Sequence, residues 1–208
     1  MEPEQRQPAT VGEMLDEVRA FYLKEFSAAA AYLAEDGSDV WFESAIRDEQ
    51  GRLSYDGPLG LPLRADLFSV KDGEPQDRLE VDTESMLSFE PFSFEWPGGV
   101  ELRLAPFQWE DCQVRAQGVA APVDWSSLRR WFLKWFDTED TNQPDTQGFF
   151  SVVHFMSEPT LHGHTISFSV DLGTAPVEAF EEMIDALRNI GAAEVEVGNE
   201  NKAGSRKT

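Results

Sequence analysis

The chain has 208 residues, with 39 Asp and Glu against 17 Lys and Arg, a formal charge of −22 and a pI near 4.3. Phosphate neutralisation needs clustered Lys and Arg, and attraction to an anionic lipid surface needs polybasic segments, so neither nucleic acid nor membrane is expected as a partner. Leu, Ile, Val and Phe make up about a quarter of the chain, above the roughly 20% below which highly charged sequences stay unfolded, so a folded core is expected.

Cys112 is the only cysteine, which excludes an intramolecular disulfide. The start Met1-Glu2-Pro3-Glu4 lacks the basic and apolar regions of a signal peptide. The longest apolar run, Ala28 to Ala34, is far short of the roughly 18 residues that span a bilayer. These features predict a cytoplasmic protein.

Residues 1–10 are polar with two prolines and predict a disordered start. Thr10-Val11-Gly12-Glu13 matches a capping box, and apolar residues recur at helical spacing from Met14 to Leu33 until Glu35-Asp36-Gly37, predicting a helix over 11–34. From Val40 the period becomes two. Val40–Arg47 and Arg52–Tyr55 flank Asp48-Glu49-Gln50-Gly51 and predict a hairpin. Asp66–Val70 predicts a short strand, and the acidic stretch from Lys71 to Glu84 a solvated connection or an edge strand guarded by charge. Met86–Trp96 and Val100–Leu104 flank Pro97-Gly98-Gly99, a second hairpin, and Phe107–Ala116 follows as another strand.

Asp124 is a good N-cap for a second helix, in which Trp125, Leu128, Trp131, Phe132, Trp135 and Phe136 occupy an arc of about 140°. Such a stripe predicts a core face packed on a sheet rather than a docking face. After an acidic loop, Gly148–Ser157 and Thr165–Leu172 predict a long hairpin that pairs Phe150 with Leu172, Val152 with Val170, His154 with Phe168 and Met156 with Ile166, with His154 pointing into the apolar face. Thr174 and Pro176 open a third helix with Phe180, Met183, Ile184 and Leu187 on its core side, Gly191 ends it, and Glu194–Val197 is a last strand before a polar tail at 199–208.

Hairpins dominate and strict strand-helix alternation is absent, so the chain reads as an α+β domain over 11–198: a predominantly antiparallel sheet of about seven to nine strands with three amphipathic helices packed against it. The helix-then-hairpin order recurs at 11–56 and 124–172, which raises two similar lobes, 11–120 and 121–198, as a variant, although side-chain identity between them is thin.

No catalytic set emerges. There is no Gly-x-Ser-x-Gly elbow, no Ser-x-x-Lys motif and no phosphate-binding glycine loop. Cys112 follows Glu110 and Asp111, whose charges oppose a reactive thiolate. His154, His162 and His164 with Glu158 have the residue types of a zinc set, but the hairpin register turns the imidazoles apart, so no metal or other cofactor is predicted. The loop Asp137–Asp145 has the composition of a calcium loop without its glycine at position 6 or glutamate at position 12.

Charge without a catalytic set points to a non-catalytic interaction protein, of inhibitor, immunity or adaptor type, whose acidic surface recognises a basic protein partner. The acidic clusters at Asp137, Glu139, Asp140 and Asp145, and at Asp72, Glu74 and Asp77, are its candidate contacts. The alternative is a small-molecule-binding protein or enzyme with a pocket near His154, Asp171 and Arg103.

Overall fold

Thr10 begins the first helix as its sequence requires: its hydroxyl accepts the Glu13 amide at 3.1 Å, and the Glu13 carboxylate accepts the Thr10 amide at 3.2 Å. The computed structural model describes residues 10–35 and 37–199, so the polar ends predicted at 1–9 and 200–208 lie outside the described residues. Helix α1 runs Val11–Ala34 and buries Met14, Leu15, Val18, Tyr22, Phe26 and Ala30 along one stripe.

Two sheets share the core under α1. The smaller has three antiparallel strands in the order β1 (Asp39–Phe42), β4 (Leu67–Lys71), β5 (Glu74–Leu79). The larger has the order β10 (Thr160–His162), β11 (Thr165–Asp171), β8 (Cys112–Gln117), β12 (Glu194–Val197), β7 (Val100–Leu104), β6 (Phe92–Trp96), with β9 (Phe155–Met156) also on β11. Strands β2 (Tyr55–Asp56) and β3 (Leu61–Pro62) pair separately. Helices α2 (Ser126–Phe136) and α3 (Val177–Asn189) lie side by side, joined where Trp131 Nε1 donates to the Ala179 carbonyl at 2.8 Å and Trp135 Nε1 to Glu182 at 3.0 Å.

The large sheet is buried on one face only. Along β8, Cys112, Val114 and Ala116 are buried while Gln113, Arg115 and Gln117 are exposed, the alternation of a sheet with one solvated side. Phe180 of α3 stacks on Phe107 and Trp109 with centroids 5.9 and 6.3 Å apart. The aromatic stripe of α2 is core, as expected: Leu128, Trp131, Phe132 and Phe136 are buried, and each such side chain contributes about 1.5–3 kcal/mol. One apolar cluster runs from Met14 to Val197.

Mixed helix and sheet match the α+β expectation, and antiparallel pairing predominates, although β12 runs parallel to β7. The strand pairing corrects the expectation in three places. The sheet is not single. The partner of β1 is β4, and the predicted first hairpin keeps only its turn, closed by the Asp48 amide on the Arg52 carbonyl at 2.8 Å, and one bridge, Arg47 to Leu53. The late hairpin is displaced by four residues: Met156 faces Val170, and 148–154 leave the sheet, with Ser151 at φ 59°. The two helix-then-hairpin segments therefore have different topologies, β1 entering the small sheet and β9 the large one. Of the predicted tail, Asn199 is buried, its amide donating to the Pro106 carbonyl at 3.0 Å.

Candidate functional site

Four side chains from four strand ends meet where the two sheets abut. Glu43 follows β1, Asp66 precedes β4, His154 precedes β9 and Asp171 ends β11. Their backbones are tied as well: the Glu43 amide donates to the Asp66 carbonyl at 2.7 Å, the Arg64 amide to the His154 carbonyl at 2.9 Å, and the His154 amide to the Asp171 carbonyl at 3.1 Å. His154 is fully buried, Glu43 and Asp66 almost so.

The imidazole spans the junction. Its Nε2 lies 2.6 Å from Glu43 Oε1, its Nδ1 2.7 Å from Asp66 Oδ1, and Asp171 Oδ2 stands 3.5 Å from Nδ1. Ionised carboxylates at both ring nitrogens favour donation from both, the imidazolium form. Burial opposes that charge, yet Asp171, Asp66 and Glu43 overcome it and hold the pKa well above the usual histidine value. Burial raises Asp171 in turn, against the pull of the imidazolium.

The carboxylates have further donors. Glu43, at φ 48°, accepts the Thr174 hydroxyl at 2.6 Å and the Phe150 amide at 2.7 Å; Asp66 accepts the Val81 amide at 2.5 Å; Asp171 accepts the Gly173 amide at 2.8 Å. Gly173 has φ 52°, and a Cβ there would stand 2.4 Å from the His154 ring and 2.5 Å from the Val152 carbonyl, so only glycine admits the imidazole. Arg64, only 5% exposed, is no counter-ion to the cluster: it donates to the carbonyls of Phe136 (2.9 Å), Glu43 (2.6 Å) and Asp137 (2.8 Å) and to Asp140 (2.6 Å).

Asp171 opens onto solvent through two adjoining cavities of about 450 and 350 Å³, which share Asp82, Glu110, Phe155 and Asp171. The larger is also lined by Asp111, Thr83, Gln108 and Ser169, with no basic residue among the described ones, and the smaller reaches Asp66 and is lined by Arg64 and Arg78 as well. Glu110 Oε1 accepts the Thr83 amide at 2.7 Å and the Thr83 hydroxyl, while its Oε2, buried, has no partner among the described residues. Burial raises its pKa against those Thr83 bonds. The Tyr22 hydroxyl, also buried, is likewise without a partner among the described residues, and burial with the charges of Asp171, Asp66, Glu43 and Glu110 raises it. A cavity of 540 Å³ on the open face of the large sheet, among Gln113, Arg115, Ser167 and Glu196, contains none of the cluster.

Of the residues named from sequence, His154 and Asp171 come together and Arg103 does not. Arg103 lies on β7 and pairs with Glu196 at 2.5 Å. His154 is buried as expected, but among carboxylates rather than in an apolar face. His162 is exposed, His164 Nδ1 lies 3.1 Å from the Val119 carbonyl, and Glu158 accepts the Leu59 amide at 2.9 Å, so these residues and His154 form no common site. The acids of 137–145 serve the fold: Asp137 accepts the Asn142 amide at 2.8 Å, Asp140 pairs with Arg47 and Arg64, and Asp145 accepts the Gln147 and Phe149 amides at 2.7 and 3.0 Å. Glu139 is exposed, as are Asp72, Glu74 and Asp77 on the β4–β5 hairpin.

Glu43, Asp66, Glu110 and Tyr22 were missed. Asp66 had a signal, since Arg64 and Asp66 are the charges in the apolar run from Leu59 to Val70, where each charge needs a buried partner. Glu43 had none: it lies 111 residues from His154. No helix among the described residues is long and apolar enough to cross a membrane. Comparison with protein-family models, curated proteins and solved structures finds no match.

Proposed function

We propose that this chain is a non-catalytic binding protein whose acidic cleft takes up a cationic nitrogen group, an amine or a guanidinium. The observation that supports this most directly is Glu110 Oε2, buried and without a partner among the described residues, in a cavity whose lining also includes Asp82, Asp111 and Asp171. A buried carboxylate oxygen without a donor costs about 1–3 kcal/mol, which an N–H donor from a ligand recovers. Phe155, 44% exposed, adds an aromatic face on which a cation can rest. The volumes suit a small amine or one arginine or lysine side chain.

The same chemistry has two sources, a free small molecule or the side chain of a basic protein, and the test separates them. Methylguanidinium and an arginine-containing basic peptide are titrated calorimetrically into the wild type, the Asp82→Asn/Glu110→Gln variant and an Asp72→Asn/Glu74→Gln/Asp77→Asn variant. The cleft reading expects binding to fall at least tenfold in the cleft variant only. Uptake of methylguanidinium makes a small molecule sufficient, whereas uptake of the peptide alone assigns the site to a protein partner. Binding of neither, or loss confined to the hairpin variant, refutes the cleft. The exposed acids of the β4–β5 hairpin favour the second reading, a basic partner bound on the surface by charge alone.

A further inference from the structure

We infer that the floor of this cleft is a site for a divalent transition-metal ion, held by His154 Nδ1, Asp66 and Asp171. The inference deepens the cleft reading by naming a second cation and its ligands. One ligand atom from each of the three residues lies within 4.8 Å of the other two. Tetrahedral coordination at bonds of about 2.0–2.1 Å places ligand atoms roughly 3.3 Å apart. Asp171 Oδ2 already stands 3.5 Å from Nδ1, and Asp66 Oδ1, at 2.7 Å, has to retreat by about 0.6 Å as the ion replaces the Nδ1 proton.

The surroundings match what such an ion needs. A metal-bound histidine ordinarily donates its other N–H to a carboxylate, which fixes the tautomer and the ring plane. Here Nε2 has Glu43 Oε1 at 2.6 Å, and Glu43 is fixed by Thr174 and Phe150. The smaller cavity, whose lining includes Asp66 and Asp171 and also Arg64 and Arg78, gives an entry path; Arg64 is held by carbonyls and Asp140, and Arg78 pairs with Glu80. Glu110 lines it too and brings the unpartnered Oε2, a further oxygen donor that no contact among the described residues accounts for.

The charge balance points the same way. Glu43, Asp66, Asp171 and Glu110 face one imidazolium, and the guanidinium nearest to them, Arg64, is spent on carbonyls and on Asp140. Uncompensated buried charge opposes folding, and a dication in place of one proton removes one unit of the excess. One imidazole with two or three carboxylate oxygens is a donor set for Mn²⁺ or Zn²⁺.

The test is uptake of Mn²⁺ by chelator-treated protein, followed through the electron-paramagnetic-resonance signal of free Mn²⁺, with Zn²⁺ calorimetry beside it. The expected result is saturation at one ion per chain below 1 mM. Asp171→Asn, at the partly exposed edge of the cluster, weakens uptake at least tenfold, and Glu43→Gln, which meets the imidazole at Nε2 and not at the ligating Nδ1, weakens it about tenfold with the stoichiometry kept. Circular dichroism checks that each variant is folded, with Glu110→Gln as the substitute should Asp171→Asn not fold. Absence of saturable uptake, or equal uptake by wild type and the folded ligand variants, overturns the inference. Methylguanidinium binding in the same samples separates the two readings: if it binds and Mn²⁺ does not, the metal site is wrong and the cleft stands, and if Mn²⁺ binds and displaces it, both hold.

Discussion

His154→Gln removes the imidazolium while keeping a polar side chain of similar length. Glu43 retains Thr174 and Phe150 as donors and Asp66 retains the Val81 amide, but Asp66 Oδ1 loses its partner and both carboxylates lose their counter-charge. Removing one member of a buried ion pair costs about 3–5 kcal/mol, a large part of the 5–15 kcal/mol that stabilises a typical domain. At about 1.36 kcal/mol per decade, the folding equilibrium falls by two to four orders of magnitude. The assay is urea unfolding at pH 7 in the presence of a chelator, read by tryptophan fluorescence and circular dichroism, with His162→Gln as a surface control expected within about 0.5 kcal/mol. The pH dependence has a definite sign. In the wild type the raised histidine pKa gives a contribution that is complete below the unfolded value of about 6.5 and is lost as pH rises through the folded value. The variant lacks that contribution, so the gap between the two proteins is widest below about pH 6.5 and closes as pH rises through the folded histidine value. A cost below about 1 kcal/mol at pH 7, or a gap that widens as pH rises above 7, refutes the imidazolium bridge.

Gly173→Ala puts a methyl group against the His154 ring at a left-handed φ, and is expected to cost at least about 2 kcal/mol by urea denaturation. For Asp140, burial is outweighed by hydrogen bonds from Arg47 and Arg64, which lower its pKa. Its contribution is present above about pH 4 and lost as pH falls through the lowered folded value, so Asp140→Asn is expected to cost about 1 kcal/mol at pH 7, discounted for an exposed side chain, and progressively less in acid. Burial, with Asp111, pushes the Cys112 thiol up, so a disulfide reagent is expected to leave the native protein untouched and to label one thiol in urea.

Local signals were legible in the sequence and long-range pairing was not. The capping box at Thr10, the aromatic arc of α2, the glycines that turn β6 into β7 and the stop at Gly191 each act within a few residues and formed where the pattern placed them, although β6 begins at Phe92 rather than Met86 and the N-cap of α2 is Trp125 rather than Asp124. Strand partners are set by packing between distant segments. β1 pairs with β4 because Leu67 and Val70 belong to the core beneath α1, whereas the turn at Asp48–Gly51 can close without extending a ladder. The late hairpin slipped by four residues rather than one, since an even shift keeps Ile166, Phe168 and Val170 on the buried face, and alternation cannot distinguish such registers. His154 and Asp171 were named as a pair, but a pattern that treats a mid-strand histidine as apolar cannot find the three carboxylates that make it an ion.

The cluster also changes the meaning of the −22 charge. Most of the acidic residues lie in solvent, where they keep the chain dispersed and attract cations only weakly. Glu43, Asp66 and Glu110 are buried, and a buried ionic group contributes less to stability than apolar side chains of the same volume would, often by 1–4 kcal/mol. A fold that needed only a bolt between two sheets could use Leu and Phe, as it does a few ångströms away, where Phe26 packs on Phe149. Carboxylates around one imidazole, beside an open cavity and an unpartnered Glu110 oxygen, have their use when a cation enters. The stability lost by building the cluster is then returned on binding, as RT ln(1 + [L]/Kd), about 2.7 kcal/mol at a hundredfold excess of ligand over Kd. Charge-removing variants of Glu110 or Asp171 that raise the stability of the unliganded protein while abolishing its stabilisation by Mn²⁺ or methylguanidinium are the signature of that exchange. Variants that lower both locate the cluster in the scaffold alone.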